Sequence, residues 1–255
     1  MTNNLEIQRK LVSEQGDQQN RLAAIRVSYL ATKEMTWLFW KFKRLADLLI
    51  VGISLILLSP LLAGIALLIK LSSRGPVFFV QDRIGQGYQL FKIYKFRTMY
   101  HVLDEDNHLY QELQETSKKR ISIEDDVRIT RMGRFLRNWS LDELPQLVNI
   151  LKGEMSIVGP RPLMVTETAK IPETYHQRFS VPSGLTGLAQ ITNRMSFTTD
   201  RFALDLIYVE KMSLWQDLKI TLKTFKVIKQ VDYDETKKVL KEHHIADVNE
   251  TDSVA

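Results

Sequence analysis

Residues 48–69 read LLIVGISLILLSPLLAGIALLI, about 22 residues without a charge, broken near the middle by Ser59-Pro60. At about 1.5 Å per residue the run is long enough to cross a hydrocarbon core of about 30 Å. The break leaves two halves of roughly 12 residues, each about 18 Å long and too short to cross alone. Proline removes a backbone N–H and collides with the carbonyl four residues earlier, so a kink is expected at Pro60. Lys41, Lys43 and Arg44 precede the run, and Lys70, Arg74 and Arg83 follow it. A single span carries its Lys/Arg excess on one side. Cations on both sides fit a hairpin that enters the membrane and returns to the same face. A Pro-kinked true span and a buried soluble helix are the alternatives.

Outward from this run the chain changes character. Met35-Thr-Trp-Leu-Phe-Trp40 is an aromatic cluster of the kind that anchors at a membrane–water interface. Residues 1–35 are polar and Gln-rich, with weak helical spacing, and read as a poorly ordered or amphipathic arm. The apolar run starts too far from the N-terminus to be a cleavable signal peptide. There is no cysteine among the 255 residues, so disulfides and thiolate metal sites are excluded. Lys and Arg number 35 against 30 Asp and Glu, a net +5. That excess suits an anionic membrane face or a phosphorylated substrate and is too small to argue for nucleic acid.

Pro76-Val-Phe-Phe-Val80 and 90–96 are β-branched and aromatic, and Gly85-Gln-Gly87 lies between them, which predicts a β-hairpin. The charged stretch 101–126 reads as an insertion or loose helix. Residues 127–152 predict two helices. The first places Ile129, Met132, Phe135 and Leu136 on one face; the second starts near Ser140 and stops at Gly153. Gly159-Pro-Arg-Pro162 and 182–187 read as irregular loops. Residues 200–230 are amphipathic, with Leu204, Ile207 and Tyr208, then Trp215, Leu218, Leu222 and Phe225, and some of this helix suits a membrane surface. The last 20 or so residues are polar and lack a core pattern.

Two constellations carry chemistry. Ser140-Leu-Asp-Glu143 is open to two readings. It has the pattern of a capping box, in which Ser140 accepts from the Glu143 amide and Glu143 reaches back to the Ser140 amide. The same adjacent carboxylates, Asp142 and Glu143, beside several arginines, suit a nucleophile and a Mg²⁺ ligand. The second constellation is Arg83, Lys95, Arg97, Arg137, Arg161 and Arg194, each in or beside a loop or element end, where a guanidinium fork suits phosphate oxygens. Arg161, between two prolines, is the most constrained of them. His101, His108, His176, His243 and His244 show no metal-ligand spacing, and Gly85-Gln-Gly87 lacks the third glycine and helix of a dinucleotide loop.

Taken in order, these pieces resemble the bacterial sugar transferases, the monotopic phosphoglycosyl transferases. The matching pieces are Lys43-Arg44 with Asp47, Ser59-Pro60, Gly75-Pro-Val-Phe-Phe-Val-Gln-Asp-Arg-Ile-Gly85 and Phe91-Lys-Ile-Tyr-Lys-Phe-Arg-Thr-Met99. They continue with Arg137-Asn-Trp-Ser-Leu-Asp-Glu-Leu-Pro-Gln146, Leu151-Lys-Gly-Glu-Met-Ser-Ile-Val-Gly-Pro-Arg-Pro162, Gly184-Leu-Thr-Gly-Leu-Ala-Gln190 and Asp217-Leu-Lys219. The chain departs from the family pattern at Pro182-Ser183, at Leu188 and over Gln190-Ile-Thr-Asn-Arg194.

The resemblance implies transfer of a sugar-1-phosphate from a UDP-sugar to a polyprenyl (undecaprenyl) phosphate, with UMP released. It gives Asp142 the role of nucleophile, Glu143 that of a Mg²⁺ ligand, and Arg137 and Arg161 that of diphosphate ligands. It implies the re-entrant hairpin, membrane lipid as a partner, and a catalytic domain on the cytosolic face of the bacterial inner membrane. The expected fold is α+β and mostly helical, with a re-entrant helix-break-helix, interfacial amphipathic helices and a small β-hairpin. The divisions are an arm (1–35), an anchor and membrane hairpin (36–75), a catalytic domain (76–232) and a tail (233–255). The competing functions are a membrane-tethered DNA-binding regulator and an inactive assembly scaffold. Pro145 in the second helix's first turn and a central acidic pair argue against DNA; the intact Asp142, Glu143 and Arg161 argue against the scaffold. The sugar, the glycan pathway and homodimerisation are left open.

Overall fold

A computed structural model of the chain describes residues 37–100, 126, 128–168, 171–192 and 199–227. The N-terminal arm, most of the 101–126 stretch, Arg194 and the C-terminal tail lie outside the described residues.

The apolar run forms the centre of helix α1 (Trp37–Ser72), 36 residues assigned as helix throughout, Pro60 included. Ser59 Oγ donates to the carbonyl of Ile56 (2.8 Å), a side-chain bond of the kind that bends helices beside proline. Only Lys43, Asp47, Val51, Ile65 and Ile69 of α1 are buried. The middle is apolar and bare: Ile56 and Leu57 are 75% and 72% exposed. A helix apolar on its exposed faces belongs in lipid rather than water. Its two ends pack on the rest of the chain. Val51 joins Phe91, Ile93, Leu147, Ile150 and Met155, while Ile65 and Ile69 join Phe96 and Leu136.

The expected hairpin is present. Strands β1 (Phe78–Ile84) and β2 (Leu90–Phe96) pair antiparallel from Phe78↔Phe96 to Ile84↔Leu90. The short 3-10 turn Gln86–Tyr88 closes them, with Gly87 at φ 61°. Helix α2 (Arg131–Asn138) starts later than the periodicity suggested, because Thr130 caps it by accepting from the Gly133 amide (2.8 Å). That start buries Leu136 and leaves Phe135 exposed, which corrects the expected apolar face. A 3-10 helix (Leu141–Gln146) runs into α3 (Leu147–Lys152), which ends at Gly153 in the left-handed region (φ 84°).

Beyond α3 a second sheet appears that the sequence pattern did not suggest. Strand β3 (Ser156–Val158) pairs parallel with β4 (Gly184–Thr186). Between them lie the one-turn helix α4 (Val165–Thr168) and a 3-10 helix (Glu173–Ser180). Helices α5 (Leu188–Thr192), α6 (Thr199–Lys211) and α7 (Leu214–Val227) follow. The amphipathic 200–230 stretch is therefore two helices with separate duties. Leu204, Ile207 and Tyr208 on α6 are core residues, whereas Trp215, Leu218 and Leu222 on α7 are exposed, Trp215 by 63%. An exposed Trp and Leu stripe suits a membrane interface.

Candidate active site

The carboxylate pair sits where α2 turns into the 3-10 helix. Ser140 adopts the left-handed conformation (φ 55°, ψ 20°), and its side chain makes no capping bond. The Glu143 amide instead donates to the Ser140 carbonyl at 3.3 Å. The capping-box reading is thus overturned. The left-handed turn takes the hydroxyl out of reach, and Glu143 turns to cations rather than to the Ser140 amide. Pro145 offers no N–H, so the segment enters α3 through a 3-10 turn rather than as one regular helix.

Lys95 Nζ, from β2, donates to Glu143 Oε1 at 2.7 Å, and Arg161 approaches the same oxygen at 3.4 Å. Asp142 is 9% exposed. Burial, and then the neighbouring Glu143 charge, raise its carboxyl to about 6, against the pull of Lys95, Arg137 and Arg161. Arg137, on α2, donates from Nε to Thr98 Oγ1 (2.9 Å), which fixes its stem beside the acids. Arg83 donates to Gln81 Oε1 (2.7 Å) and faces Glu167 Oε2 at 3.5 Å. Burial and the nearby Arg161 pull the Arg83 guanidinium below its usual range. One cleft is lined by Arg83, Lys95, Glu143, Gln146, Arg161 and Gly184. Asp142 is thus a buried acid with a raised carboxyl in the field of Lys95, Arg137 and Arg161, the kind of perturbed group that clusters at functional sites.

The turn carrying Arg161 is held from several sides. The Gly159 amide donates to Thr186 O and the Gly184 amide to Pro160 O, both at 2.9 Å. Leu163 and Ile84 exchange backbone bonds at 3.3 and 2.8 Å. Two backbones meet here without space for a side chain. A Cβ on Gly159 would lie 2.2 Å from Pro182 O, and one on Gly184 2.1 Å from Gly159 N. The Gly-Pro-Arg-Pro and Gly-Leu-Thr-Gly segments, which look like separate loops in sequence, are therefore one structure that presents Arg161.

Residues 38–230 match the family described as bacterial sugar transferase. The chain belongs to that family. A UDP-glucose:undecaprenyl-phosphate glucose-1-phosphate transferase of Klebsiella pneumoniae is 40% identical over 192 residues, 72% of this chain and 39% of the relative. A protein of the same name from Caulobacter vibrioides is 42% identical over 192 residues, 71% of this chain and 67% of the relative. The exopolysaccharide production protein ExoY of Rhizobium meliloti is 41% identical over 192 residues, 73% of this chain and 84% of the relative. The chain thus spans well under half the length of the Klebsiella relative and most of ExoY.

In this member of the family not every candidate cation lines the cleft. Arg97 is buried at the C-terminal end of α1, where its guanidinium donates to the Ser73 carbonyl (2.8 Å) and hydroxyl (2.9 Å). Arg194 lies outside the described residues. Ser59 and Pro60 sit on the bare stretch of α1. Sequence reasoning missed three charged side chains behind the cleft: Arg178, Asp205 and Arg201, all buried. Burial and the neighbouring Arg161 lower Arg201 to about 10. A signal was present. Arg201 and Asp205 share the helical face of Leu204 and Tyr208, so two charges stand on a core stripe.

Proposed function

We propose that this chain transfers a sugar-1-phosphate from a UDP-sugar to undecaprenyl phosphate, as the first membrane step of a surface polysaccharide. The observation that carries the proposal is the buried Asp142 beside Glu143, whose carboxylate is approached by Lys95 at 2.7 Å and Arg161 at 3.4 Å. The names of the sugar transferase relatives support the substrate classes. Ionised Asp142 attacks the β-phosphorus of the donor. The bond from that phosphorus to the bridging oxygen breaks, and UMP leaves with the bridging oxygen and the electron pair. An oxygen of the lipid phosphate then attacks the phosphorus of the aspartyl ester, which frees the carboxylate and yields the polyprenyl diphosphate sugar. The covalent stage lets the soluble and lipid substrates react in turn. Lys95, Arg137 and Arg161 stabilise the charge that develops on the leaving UMP.

Mg²⁺ fits the donor set in one way. Among the described residues no group of three or more His, Cys, Asp or Glu stands together. Glu143 supplies hard carboxylate oxygens, and the remaining ligands would be substrate phosphates and water, a common arrangement for this ion. Bound there, Mg²⁺ would offset charge on the diphosphate.

The re-entrant reading of α1 is supported by its contacts. Residues near both ends, Asp47 and Val51, then Ile65 and Ile69, pack on the same body. A helix crossing the bilayer would place those ends on opposite sides. The exposed middle then dips into one leaflet, with the body on the cytosolic face of the inner membrane, where α7 brings Trp215, Leu218 and Leu222 to the interface.

The test is UMP release by the detergent-purified full chain, with a panel of UDP-sugars, polyprenyl phosphate and Mg²⁺. Release that requires the lipid phosphate and Asp142 is expected; release by Asp142→Asn at the wild-type rate would sink the covalent mechanism.

A further inference from the structure

We infer that Arg178 and Asp205 are a buried positioning pair that fixes the backbone of Arg161, and so aims its guanidinium at the reacting diphosphate; this rests on the transferase reading above. Both side chains are 1% exposed. Arg178 Nε and one terminal nitrogen donate to the same Asp205 oxygen at 3.0 and 2.7 Å. That terminal nitrogen also donates to the Arg161 carbonyl at 2.8 Å. The guanidinium carbon lies 5.1 Å from the ring centre of Phe179 and 5.5 Å from that of Phe202. Asp205 comes from α6 and Arg178 from the 3-10 helix Glu173–Ser180, so two elements converge on one carbonyl.

An ion pair this deep is a poor device for stability, because apolar side chains of similar volume often serve as well. What apolar side chains cannot supply is a donor to the Arg161 carbonyl. The need for one is local. Pro160 and Pro162 flank Arg161 and have no N–H, so the turn cannot be fixed by a regular ladder of its own. The Gly184 and Ile84 bonds hold its two sides, and Arg178 holds its centre. Catalysis is sensitive to this, since about 1 Å of misplacement can cost about a hundredfold in rate.

The experiment compares the full-length protein with the Arg178→Met/Asp205→Leu variant, each with and without Arg161→Ala. It reads UMP release, thermal melting, and amide hydrogen exchange over 156–164 and over 90–96. The paired apolar variant is expected to keep its melting transition and to exchange faster over 156–164 but not over 90–96. Its kcat is expected to fall about thirtyfold with little change in KM, and Arg161→Ala is expected to cost little more in that background. Unchanged exchange over 156–164, or rate losses that simply multiply, would overturn the inference, because a merely structural pair predicts independent effects. If the apolar variant does not fold, Arg178→Met/Asp205→Asn, which also removes the donor, is read by the same criteria. If the wild type releases no UMP from any donor, the transferase reading fails, and the exchange comparison still decides whether the pair holds the turn.

Discussion

Asp142 and Asp217 are both carboxylates that burial raises above their usual range, and the molecule answers them differently. Asp217, on α7, accepts from Lys43 Nζ at 2.5 Å and from the Tyr208 hydroxyl at 2.8 Å. Lys43 also donates to the Val158 carbonyl (3.0 Å), and Asp47 accepts from Ser156 Oγ (2.7 Å) and the Ile157 amide (3.1 Å). The base of α1 is thus tied to β3 and α7 by polar groups that satisfy one another. Asp142 accepts no hydrogen bond among the described residues, although the charges of Lys95, Arg137 and Arg161 act on it. A closed network holds a fold together; an open one keeps its charge for something that arrives. The flanking cations of the apolar run divide along the same line. Lys43 and Arg44 have their partners in the body of the fold, the latter on the carbonyls of Ile150 and Leu151, whereas Arg83, held by Gln81 and Glu167, lines the cleft.

The hardest test of this contrast is Asp142→Asn, expected to reduce UMP release by about 10³-fold or more while the protein folds and binds membrane. The same change should raise stability. A carboxyl raised from about 3.9 to about 6 is disfavoured in its ionised form, a cost that is full above pH 6 and absent below pH 4. The gain should approach about 3 kcal/mol at pH 7.5 and fade toward pH 4 in melting experiments. A destabilised variant at pH 7.5 would mean that Asp142 is as well satisfied as Asp217.

At the closed network the sign reverses. Lys43→Met leaves a buried acid without its cation and should cost about 3–5 kcal/mol, measured by denaturant unfolding in detergent. Adding Asp217→Leu should recover most of that loss. Arg161→Ala should lower kcat/KM by about 10²-fold with little effect on melting, since the side chain is partly exposed. The smallest expected effect is on the pH profile. Between pH 7 and 5, kcat/KM should fall about tenfold as Asp142 protonates, within the field of Glu143, Lys95, Arg137 and Arg161. A flat profile would break the link between its burial and its reactivity.

Much of the candidate site is legible in the sequence. The Asp142-Glu143 pair, Lys95, Arg137 and Arg161 stand out by residue type and by their places at element ends, and the β-hairpin by its branched and aromatic runs. Ser140 misleads, because a capping-box pattern and a carboxylate presented to cations use the same four residues. The β3–β4 pair is hidden. Three-residue strands with glycine and proline at their ends carry no alternation to detect, and their partner lies about 28 positions away in the chain.

By itself, the sequence determined which segments are apolar, where helices and the hairpin can form, and which residue types could meet a phosphate, because these follow from composition and short-range spacing. Only the tertiary structure decided which charges are left unpaired. Arg97 went to the end of α1, Lys43 to Asp217, Arg178 to Asp205 and the Arg161 carbonyl, while Asp142 stayed open. A charge's role depends on its burial and on partners far along the chain, and neither is set by its neighbours in sequence.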